Sequence, residues 1–247
     1  MIGINEDLLM NVDPDLNIFN KELGHCGNYT IENFSNSFVN DDSFSILNFN
    51  IRSFHRNKQG FESFLQSILF KFDVIVLSET WNSLNTLELC FFDGYNSHHT
   101  YRADSRGGGI SVFTCNSLKA KKIPHLCLCT STFESCVVKV CYNSEYCFII
   151  GVYRPPSGSV DSFLLDLEDL LNDDMLRNKL IVFTGDINLD LININSCESL
   201  NYINLMYSFC FFPIIDKITR CSNEDSFSGT NLDHIYLSIS LFLIILV

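Results

Sequence analysis

The sequence predicts an α+β fold in which helices cover the outer faces of β-sheets. Apolar runs rich in Val, Ile, Phe and Tyr are typical of strands, and other segments repeat their apolar residues at helical spacing. Several predicted strands follow one another in the middle of the chain, which a purely alternating parallel fold would not show. Hydrophobic residues make up 47% of the 247, enough for a sizeable core.

The first part of the chain divides into a leader and three elements. Residues 1–40 are rich in Asn, Asp and Ser with weak periodicity, so we expect a loosely ordered leader before a folded domain at 41–237. The segment "SFSILNFNI" predicts a strand. The spacing in "GFESFLQSILFKF" predicts a helix over 60–72, and "DVIVLSE" at 73–79 predicts a strand buried on both faces.

The rest of the domain is predicted to add strands and two helices after a looser region that follows Trp81. One helix is expected over 159–176, with Ser159 or Asp161 as its N-cap, and another over 199–209. The further strands are expected at 107–113, 134–140, 146–153, 179–186 and 231–237.

Charge and cysteine content limit the classes of protein. The net charge of −13 argues against a broad basic surface for nucleic acid, but not against phosphate bound through divalent cations held by carboxylates. The 11 cysteines are odd in number and scattered singly, so we expect reduced thiols in the nucleus or cytoplasm. Cys127 and Cys129 lack a histidine partner at zinc-ligand spacing.

The sequence predicts no targeting signal at either end of the chain. The start, "MIGINEDLLMNVDPD", is not a signal peptide, so secretion is not expected. The apolar tail at 238–247 continues from Leu237 as an 11-residue run, well short of the ~20 residues that span a bilayer, and we expect no membrane partner. Our expectation is that the tail replaces sequence that would complete the fold.

Polar residues end or interrupt four of the predicted buried strands. These residues are Asn50, Glu79, Asp186 with Asn188, and Asp233 with His234. A carboxylate at such a position is costly unless it is solvated, paired or bound to a metal ion, so one shared site explains the four better than four accidents. Taken singly, each also fits a turn, a cap or a structural hydrogen-bonded pair.

The stretch "LIVFTGDINLDL" leaves two interpretations open. If its strand continues, Asp186, Asn188 and Asp190 share one face, because side chains two apart point the same way. If Gly185 opens a turn, the same residues are turn chemistry. The "RGGG" at 106–109 lacks the setting of a phosphate-binding loop and predicts a hairpin turn, and "YRPPSGS" from Tyr153 predicts a rigid loop.

Taken in order, these motifs resemble a known family. The set "NIRS", "FDVIVLSETW", "GYNSHHTYRADSRGGGISVF", "GVYRPPSGS", "LIVFTGDINLDL" and "LDHIY" is similar to the endonuclease domain of non-LTR (LINE-type) retrotransposons, within the endonuclease/exonuclease/phosphatase, DNase I-like superfamily. The resemblance covers roughly Phe44 to Leu237. It implies a four-layer α/β/β/α sandwich and Mg²⁺-dependent hydrolysis of phosphodiesters, with DNA as substrate and no stable protein partner.

The resemblance also implies a role for each matched residue. Asn50 and Glu79 match metal-site residues, with Glu79 as the main ligand of Mg²⁺, for which Mn²⁺ could substitute. Tyr153 matches the tyrosine that contacts the scissile phosphate. Asp186 matches the acid that positions or deprotonates the attacking water, and Asn188 matches the amide that helps orient it. Both are also expected to be ligands of the metal ion. Asp233 matches the acid that orients a catalytic histidine.

One departure from the family pattern leaves activity open. The catalytic histidine of the family comes from a closing Ser-Asp-His motif that these 247 residues do not contain, and His234 matches the position beside the orienting acid instead. We therefore expect a missing last strand and impaired catalysis, and no reverse transcriptase segment is present. The alternatives are a phosphatase of the same fold acting on a small phosphoester, and a non-catalytic relic or binding module.

Overall fold

The computed structural model describes residues 29–31, 33–34, 43–103, 107–192, 196–215, 217–221 and 229–238. The predicted leader and apolar tail lie almost wholly outside these ranges. The helices are α1 (Phe54–Ser67), α2 (Val160–Leu171) and α3 (Cys197–Ser208). The strands are β1 (Ile46–Asn50), β2 (Val74–Ser78), β3 (Tyr95–Thr100), β4 (Ile110–Cys115), β5 (Lys119–Lys122), β6 (Glu134–Tyr142), β7 (Glu145–Tyr153), β8 (Leu180–Asp186), β9 (Phe211–Pro213), β10 (Arg220–Cys221), β11 (Gly229–Thr230) and β12 (Asp233–Ser238).

The strands form two mixed sheets and a short hairpin. The four-stranded sheet has the order β1-β2-β4-β3, the six-stranded sheet has the order β5-β6-β7-β8-β12-β9, and β10 pairs with β11. Two pairs are parallel, β1 with β2 and β7 with β8, and the other pairs described are antiparallel. The mixture agrees with the predicted α+β class.

Alternation along the strands divides the core into layers. In β2, Val76 packs in the cluster shared by the two sheets, whereas Leu77 packs in a cluster with Phe54 of α1. In β8, Val182 faces the other sheet and Phe183 faces the layer formed by α2 and α3. Because successive side chains point to opposite faces, each sheet has one helix-covered side and one side buried against its partner. The predicted α/β/β/α sandwich is confirmed.

The first helix differs from its prediction. It runs over Phe54–Ser67 rather than 60–72, because Phe54 lies one heptad before Phe61 and both are buried on the same face. The intervening residues are mostly polar and exposed, so the apolar pattern showed only the second half of the helix. The prediction of Ser159 as N-cap of α2 is confirmed, since its hydroxyl accepts a hydrogen bond from the Ser162 N–H (3.3 Å).

Five short strands were not predicted from the sequence. They are β3, β5, β9, β10 and β11. The sequences of β3 ("YNSHHT") and β5 ("KAKK") lack apolar alternation, and both strands lie at sheet edges where one side remains unpaired. The glycines at 107–109 lie between β3 and β4, which form an antiparallel pair as expected of a hairpin, and Arg106 lies outside the described residues. A last strand beyond Ser238 would fall outside the described residues, and its loss stays a prediction. Across the described ranges, no helix has the length and apolar character needed to cross a bilayer.

Gly151 marks the closest approach of the two sheets. A Cβ atom there would lie 3.0 Å from Val76 Cγ1, 3.2 Å from Ile110 Cγ1 and 3.3 Å from Val112 Cγ2. These distances leave no room for a larger residue on β7.

We expect Gly151→Val to lower the free energy of unfolding by about 1–3 kcal/mol, because a larger side chain overpacks the space between the sheets. Gly60→Ala is the control, since nothing lies within 4 Å of its added Cβ and α1 should gain about 0.5–1 kcal/mol. Urea unfolding measures both. Equal effects of the two substitutions would contradict this account of the sheet contact.

Candidate active site

Four side chains lie side by side across the six-stranded sheet, at one end of its strands. Glu134 of β6 is directly opposite Tyr153 of β7, Tyr153 is opposite Asp186 of β8, and Asp186 is opposite Asp233 of β12. Residues opposite each other in a ladder point to the same face. Tyr153 packs in the cluster between the sheets, so the row faces the four-stranded sheet.

Asn50 connects this row to the four-stranded sheet. It ends β1, and its amide nitrogen Nδ2 donates to Glu79 Oε1 (2.6 Å) and to Asp186 Oδ2 (2.5 Å). Glu79 follows the last residue of β2, the neighbour of β1 in its sheet. Three residues predicted for the site are therefore in direct hydrogen-bonded contact, although 136 positions separate Asn50 from Asp186.

Glu79 is held in an unusual backbone conformation. Its φ is 52° and that of Trp81 is 54°, both in the left-handed region that residues with a Cβ rarely adopt. The carbonyl oxygen of Glu79 accepts from the Ser53 N–H (2.7 Å), and that of Thr80 accepts from the Phe54 N–H (2.9 Å). Such strain, roughly 1–2 kcal/mol per residue, persists where surrounding contacts fix the chain.

Asp186 is a fully buried acid at the centre of the site. Its residue has no exposed surface, Oδ2 contacts Arg220 Nη2 at 2.6 Å, and Oδ1 is buried with no hydrogen-bond partner in the described structure. Burial raises its pKa to about 6, with the nearby charge of Asp233 adding to the rise and Arg220 and Asn50 opposing it. At pH 7 the group is mainly ionised and still close to the pH at which it exchanges a proton.

Arg220 is a site residue that the sequence did not reveal. From the β10–β11 hairpin its guanidinium contacts Asp186 and also Asp233, with 3.4 Å between Nε and Asp233 Oδ2. Burial raises the pKa of Asp233 as well, against the effect of Arg220. One cation is thus shared by a buried carboxylate and a neighbouring, partly buried one. The segment "DKITRCS" shows no periodic pattern that could have indicated this.

Tyr153 keeps its proton at neutral pH. Burial raises its pKa to about 12, and the negative charges of Glu79, Asp186 and Glu134 contribute in the same direction. Its hydroxyl is therefore a hydrogen-bond donor under physiological conditions, which is the form that can bind an anionic oxygen.

The loop after Asp186 corrects one expectation. β8 ends at Asp186, and Asn188 has a φ of 53°, so Asp186, Asn188 and Asp190 do not share a strand face. The Asn188 amide nitrogen donates to the Arg154 carbonyl oxygen (2.8 Å), and Asp190 Oδ1 accepts from the Asn231 N–H (3.0 Å). The turn interpretation holds for Asp190, whereas a metal-ligand role for Asn188 stays a prediction.

His234 is a residue of the core. It is buried, and its Nε2 lies 3.0 Å from the Leu189 carbonyl oxygen and 3.1 Å from that of Asn231. Its ring stacks on Tyr202, and burial lowers its pKa to about 4. The absence of a catalytic role for this imidazole stays a prediction.

The sequence also matches a family profile. Residues 47–243 match the Endonuclease/Exonuclease/phosphatase family, which is most of the chain. The chain belongs to this family. No curated protein sequence matches it.

Solved structures agree with this membership of the endonuclease/exonuclease/phosphatase family. The endonuclease domain of TRAS1, a telomere-specific non-LTR retrotransposon, aligns with a TM-score of 0.58 and 13% identity over 78% of this chain and 84% of that one. The AP endonuclease LMAP from Leishmania major gives 0.62 and 15% over 96% and 91%. The 3′ phosphatase NExo from Neisseria, bound to a product DNA hairpin, gives 0.56 and 14% over 78% and 86%. At these identities the likeness shows the fold.

The donor set fits a hard divalent cation. Glu79 and Asp186 supply carboxylates, Asn50 supplies an amide, and Asp186 Oδ1 is a buried oxygen without a partner. Among the described residues, no group of three or more His, Cys, Asp and Glu side chains forms a metal cluster. Mg²⁺ commonly binds through one or two carboxylates with waters and substrate phosphate, so this smaller set is compatible with it.

In metal-free protein, we expect protonation of Asp186 to stabilise the fold at low pH. Its pKa of about 6 lies above the ordinary 3.8, so the contribution is complete below about pH 4 and is lost as the pH rises through about 6. For Asp186 alone the loss would be roughly 3 kcal/mol. In urea unfolding with EDTA from pH 4 to 7, Asp186→Asn should gain stability relative to the wild type as the pH rises. Parallel profiles of the two proteins would contradict this.

We expect Arg220→Leu to destabilise the fold at pH 7 by about 1–3 kcal/mol, because it leaves the buried carboxylate of Asp186 and the partly buried one of Asp233 without their cation. The cost should be smaller in an Asp186→Asn background, with a coupling energy of about 1 kcal/mol or more in a double-mutant cycle. Arg177→Leu is the matched control, since its pair with Asp174 has side chains 69% and 89% exposed and should matter little. Additive costs would argue against the shared ion pair.

Proposed function

We propose that this chain is a Mg²⁺-dependent endonuclease domain that nicks DNA, of the kind carried by non-LTR retrotransposons. The observation that supports this best is the contact of Asn50 with both Glu79 and Asp186, which joins the ends of two sheets into one polar site. Relatives of the same fold include endonucleases and a DNA-bound phosphatase. The ordered motifs of the sequence favour the retroelement branch among them.

In this proposal, Glu79 and Asn50 hold the cation together with Asp186. Bound Mg²⁺ would supply charge stabilisation at the phosphoryl oxygens of the scissile phosphodiester. The rigid backbone around Glu79 fixes the direction of its carboxylate. In the metal-free structure Asn50 Oδ1 accepts from the Arg52 N–H (3.1 Å) and its Nδ2 faces the two carboxylates, so ligation of the cation through Oδ1 would require the amide group to turn over. Mn²⁺ prefers similar oxygen ligands and should replace Mg²⁺.

Asp186 and Tyr153 supply the proton chemistry. Asp186 is ionised at neutral pH, and its carboxylate would take a proton from an attacking water. Burial on a strand end keeps its position fixed. Tyr153, protonated and one strand away, would donate a hydrogen bond to a phosphate oxygen. Asn188 is proposed to help orient the water from the loop that follows.

The polypeptide of these 247 residues should act slowly. By the resemblance, Asp233 orients an imidazole from a Ser-Asp-His motif, and that motif is not among these residues. Here Asp233 is paired with Arg220. Loss of one electrostatic donor of this kind costs on the order of 10²- to 10³-fold in other hydrolases, and we expect a similar deficit here.

The partner and compartment follow from the same proposal. DNA is the substrate, and no stable protein partner is required for the chemistry. The nine cysteines whose side chains are described are all free thiols, which suits a reducing compartment such as the nucleus or cytoplasm.

We expect the purified chain to nick supercoiled plasmid when Mg²⁺ is present and to stop in EDTA. Asp186→Asn should lower the rate at least about 10²-fold, because it removes the proposed base, and Glu79→Gln should raise the Mg²⁺ concentration required. Asp174→Asn is the control, with an 89% exposed side chain remote from the site. Gel separation of supercoiled, nicked and linear plasmid gives the rates.

Other outcomes of the same experiment distinguish the alternatives. Phosphate release from soluble phosphoesters without nicking would favour the phosphatase. A small phosphoester needs a basic surface less than DNA does, which suits a chain of net charge −13. Folded protein that cleaves neither substrate, and whose thermal unfolding does not respond to Mg²⁺, would indicate a non-catalytic relic or binding module.

A further inference from the structure

The glycine turn at 107–109 lies against the segment that carries Glu79. The Trp81 N–H donates to the carbonyl oxygen of Gly108 (2.8 Å), and the Thr80 N–H donates to that of Gly109 (3.2 Å). Nothing in the proposed chemistry uses this turn. Its hydrogen bonds nevertheless fix the two residues that follow the metal-site glutamate.

The turn is held in place from the opposite sheet. Glu134 of β6 has no exposed surface, and its carboxylate accepts from the Gly109 N–H and from Arg102 Nε. The turn itself leads into β4 of the four-stranded sheet. Glu134 therefore joins the two sheets beside the site, through a buried carboxylate whose charge is balanced by Arg102.

Space and conformation both require glycine in the turn. Gly108 has a φ of 65°, and a Cβ there would lie 2.4 Å from Glu134 Oε1 and 2.7 Å from Arg102 Nε. Gly109 has a φ of 87°, and its Cβ would lie 2.7 Å from Thr80 Oγ1. The close fit indicates that Glu134, Arg102 and the turn form one packed unit, which we call the turn clamp.

The turn clamp faces a strained segment that is held from its other side as well. Glu79 and Trp81 both have left-handed φ values, and Ser53 and Phe54 donate backbone hydrogen bonds to the carbonyls of Glu79 and Thr80. A left-handed backbone at residues other than glycine persists only where its surroundings over-determine it. The start of α1 fixes one side of the segment, and the turn clamp fixes the other.

We propose that Glu134, acting with Arg102, is a positioning residue of the active site. Its carboxylate fixes the glycine turn, the turn fixes the backbone of Thr80 and Trp81, and that backbone directs the Glu79 carboxylate toward the cation. The role of Glu79 as a metal ligand rests on the proposed function. The chain of hydrogen bonds from Glu134 through the glycine turn to Trp81 does not.

The test uses two readouts on Glu134→Ala. Mn²⁺ affinity is measured from the electron paramagnetic resonance signal of free Mn²⁺, and we expect at least a tenfold loss, the usual effect of removing a group that orients a ligand. Trp81 is the only tryptophan, so its emission maximum and its quenching by acrylamide report on the segment without metal or activity. We expect both to change. Glu134→Gln should act more weakly, because its amide oxygen can still accept from the Gly109 N–H.

Phe163→Leu is the matched control for general destabilisation. Phe163 is buried in the cluster beneath α2 and α3, on the other side of the six-stranded sheet from the site. It should leave Mn²⁺ affinity within about twofold and Trp81 emission unchanged. If Glu134→Ala fails to fold, Glu134→Gln and Arg102→Met carry the test with the same readouts.

Two results would overturn the inference. One is a folded Glu134 variant that binds Mn²⁺ as the wild type does, and the other is unchanged Trp81 emission. Failure of the wild type to bind Mn²⁺, or binding that Glu79→Gln leaves intact, would instead overturn the proposed function. In that case Trp81 emission alone decides whether the turn clamp exists.

Discussion

The structure depends on the balance of buried charge between the two sheets. Glu79, Asp186 and Asp233 bring carboxylates toward one place, where their repulsion would separate the strand ends. An amide NH₂ group from Asn50 lies between two of them, and the guanidinium of Arg220 contacts two. Because burial disfavours the ionised forms of Asp186 and Asp233, these donors determine whether the sheets can close over the site.

Strand geometry explains why the site lies at this end of the strands. β1, β2 and β8 all end there, and the period of two places Asn50 and Asp186 toward the opposing sheet. Glu79 lies one residue beyond β2 and reaches the site through its left-handed backbone. Gly185 reinforces the arrangement, since its φ is 153° and a Cβ would lie 1.7 Å from the Val152 carbonyl oxygen. The backbones of β7 and β8 thus approach closely just before Asp186, which limits the positions its carboxylate can take.

The sequence was informative where burial makes a residue conspicuous. We predicted four site residues because a polar group at the end of an apolar strand is costly unless it is solvated, paired or bound to a metal ion. These are Asn50, Glu79, Asp186 and Asp233. Arg220 and Glu134 were not predicted, because an ion pair across distant strands leaves no local pattern. For Asn188 the sequence left a strand face and a turn open, because a left-handed residue that interrupts the alternation is not visible in the pattern. The first half of α1 and the edge strands β3 and β5 carry too few apolar residues to predict, whereas the edge strand β9 ("FFP") is apolar but only three residues long.

The long separation between the site's residues has a consequence for synthesis on the ribosome. The hydrogen bond from Asn50 to Asp186 spans 136 positions, and Asp233 lies further along the chain. A nascent chain has Asn50 and Glu79 early, but β8 and β12 emerge much later. Contacts of such high sequence separation form late in folding. The emerging polypeptide should therefore lack an assembled site until translation has passed β12.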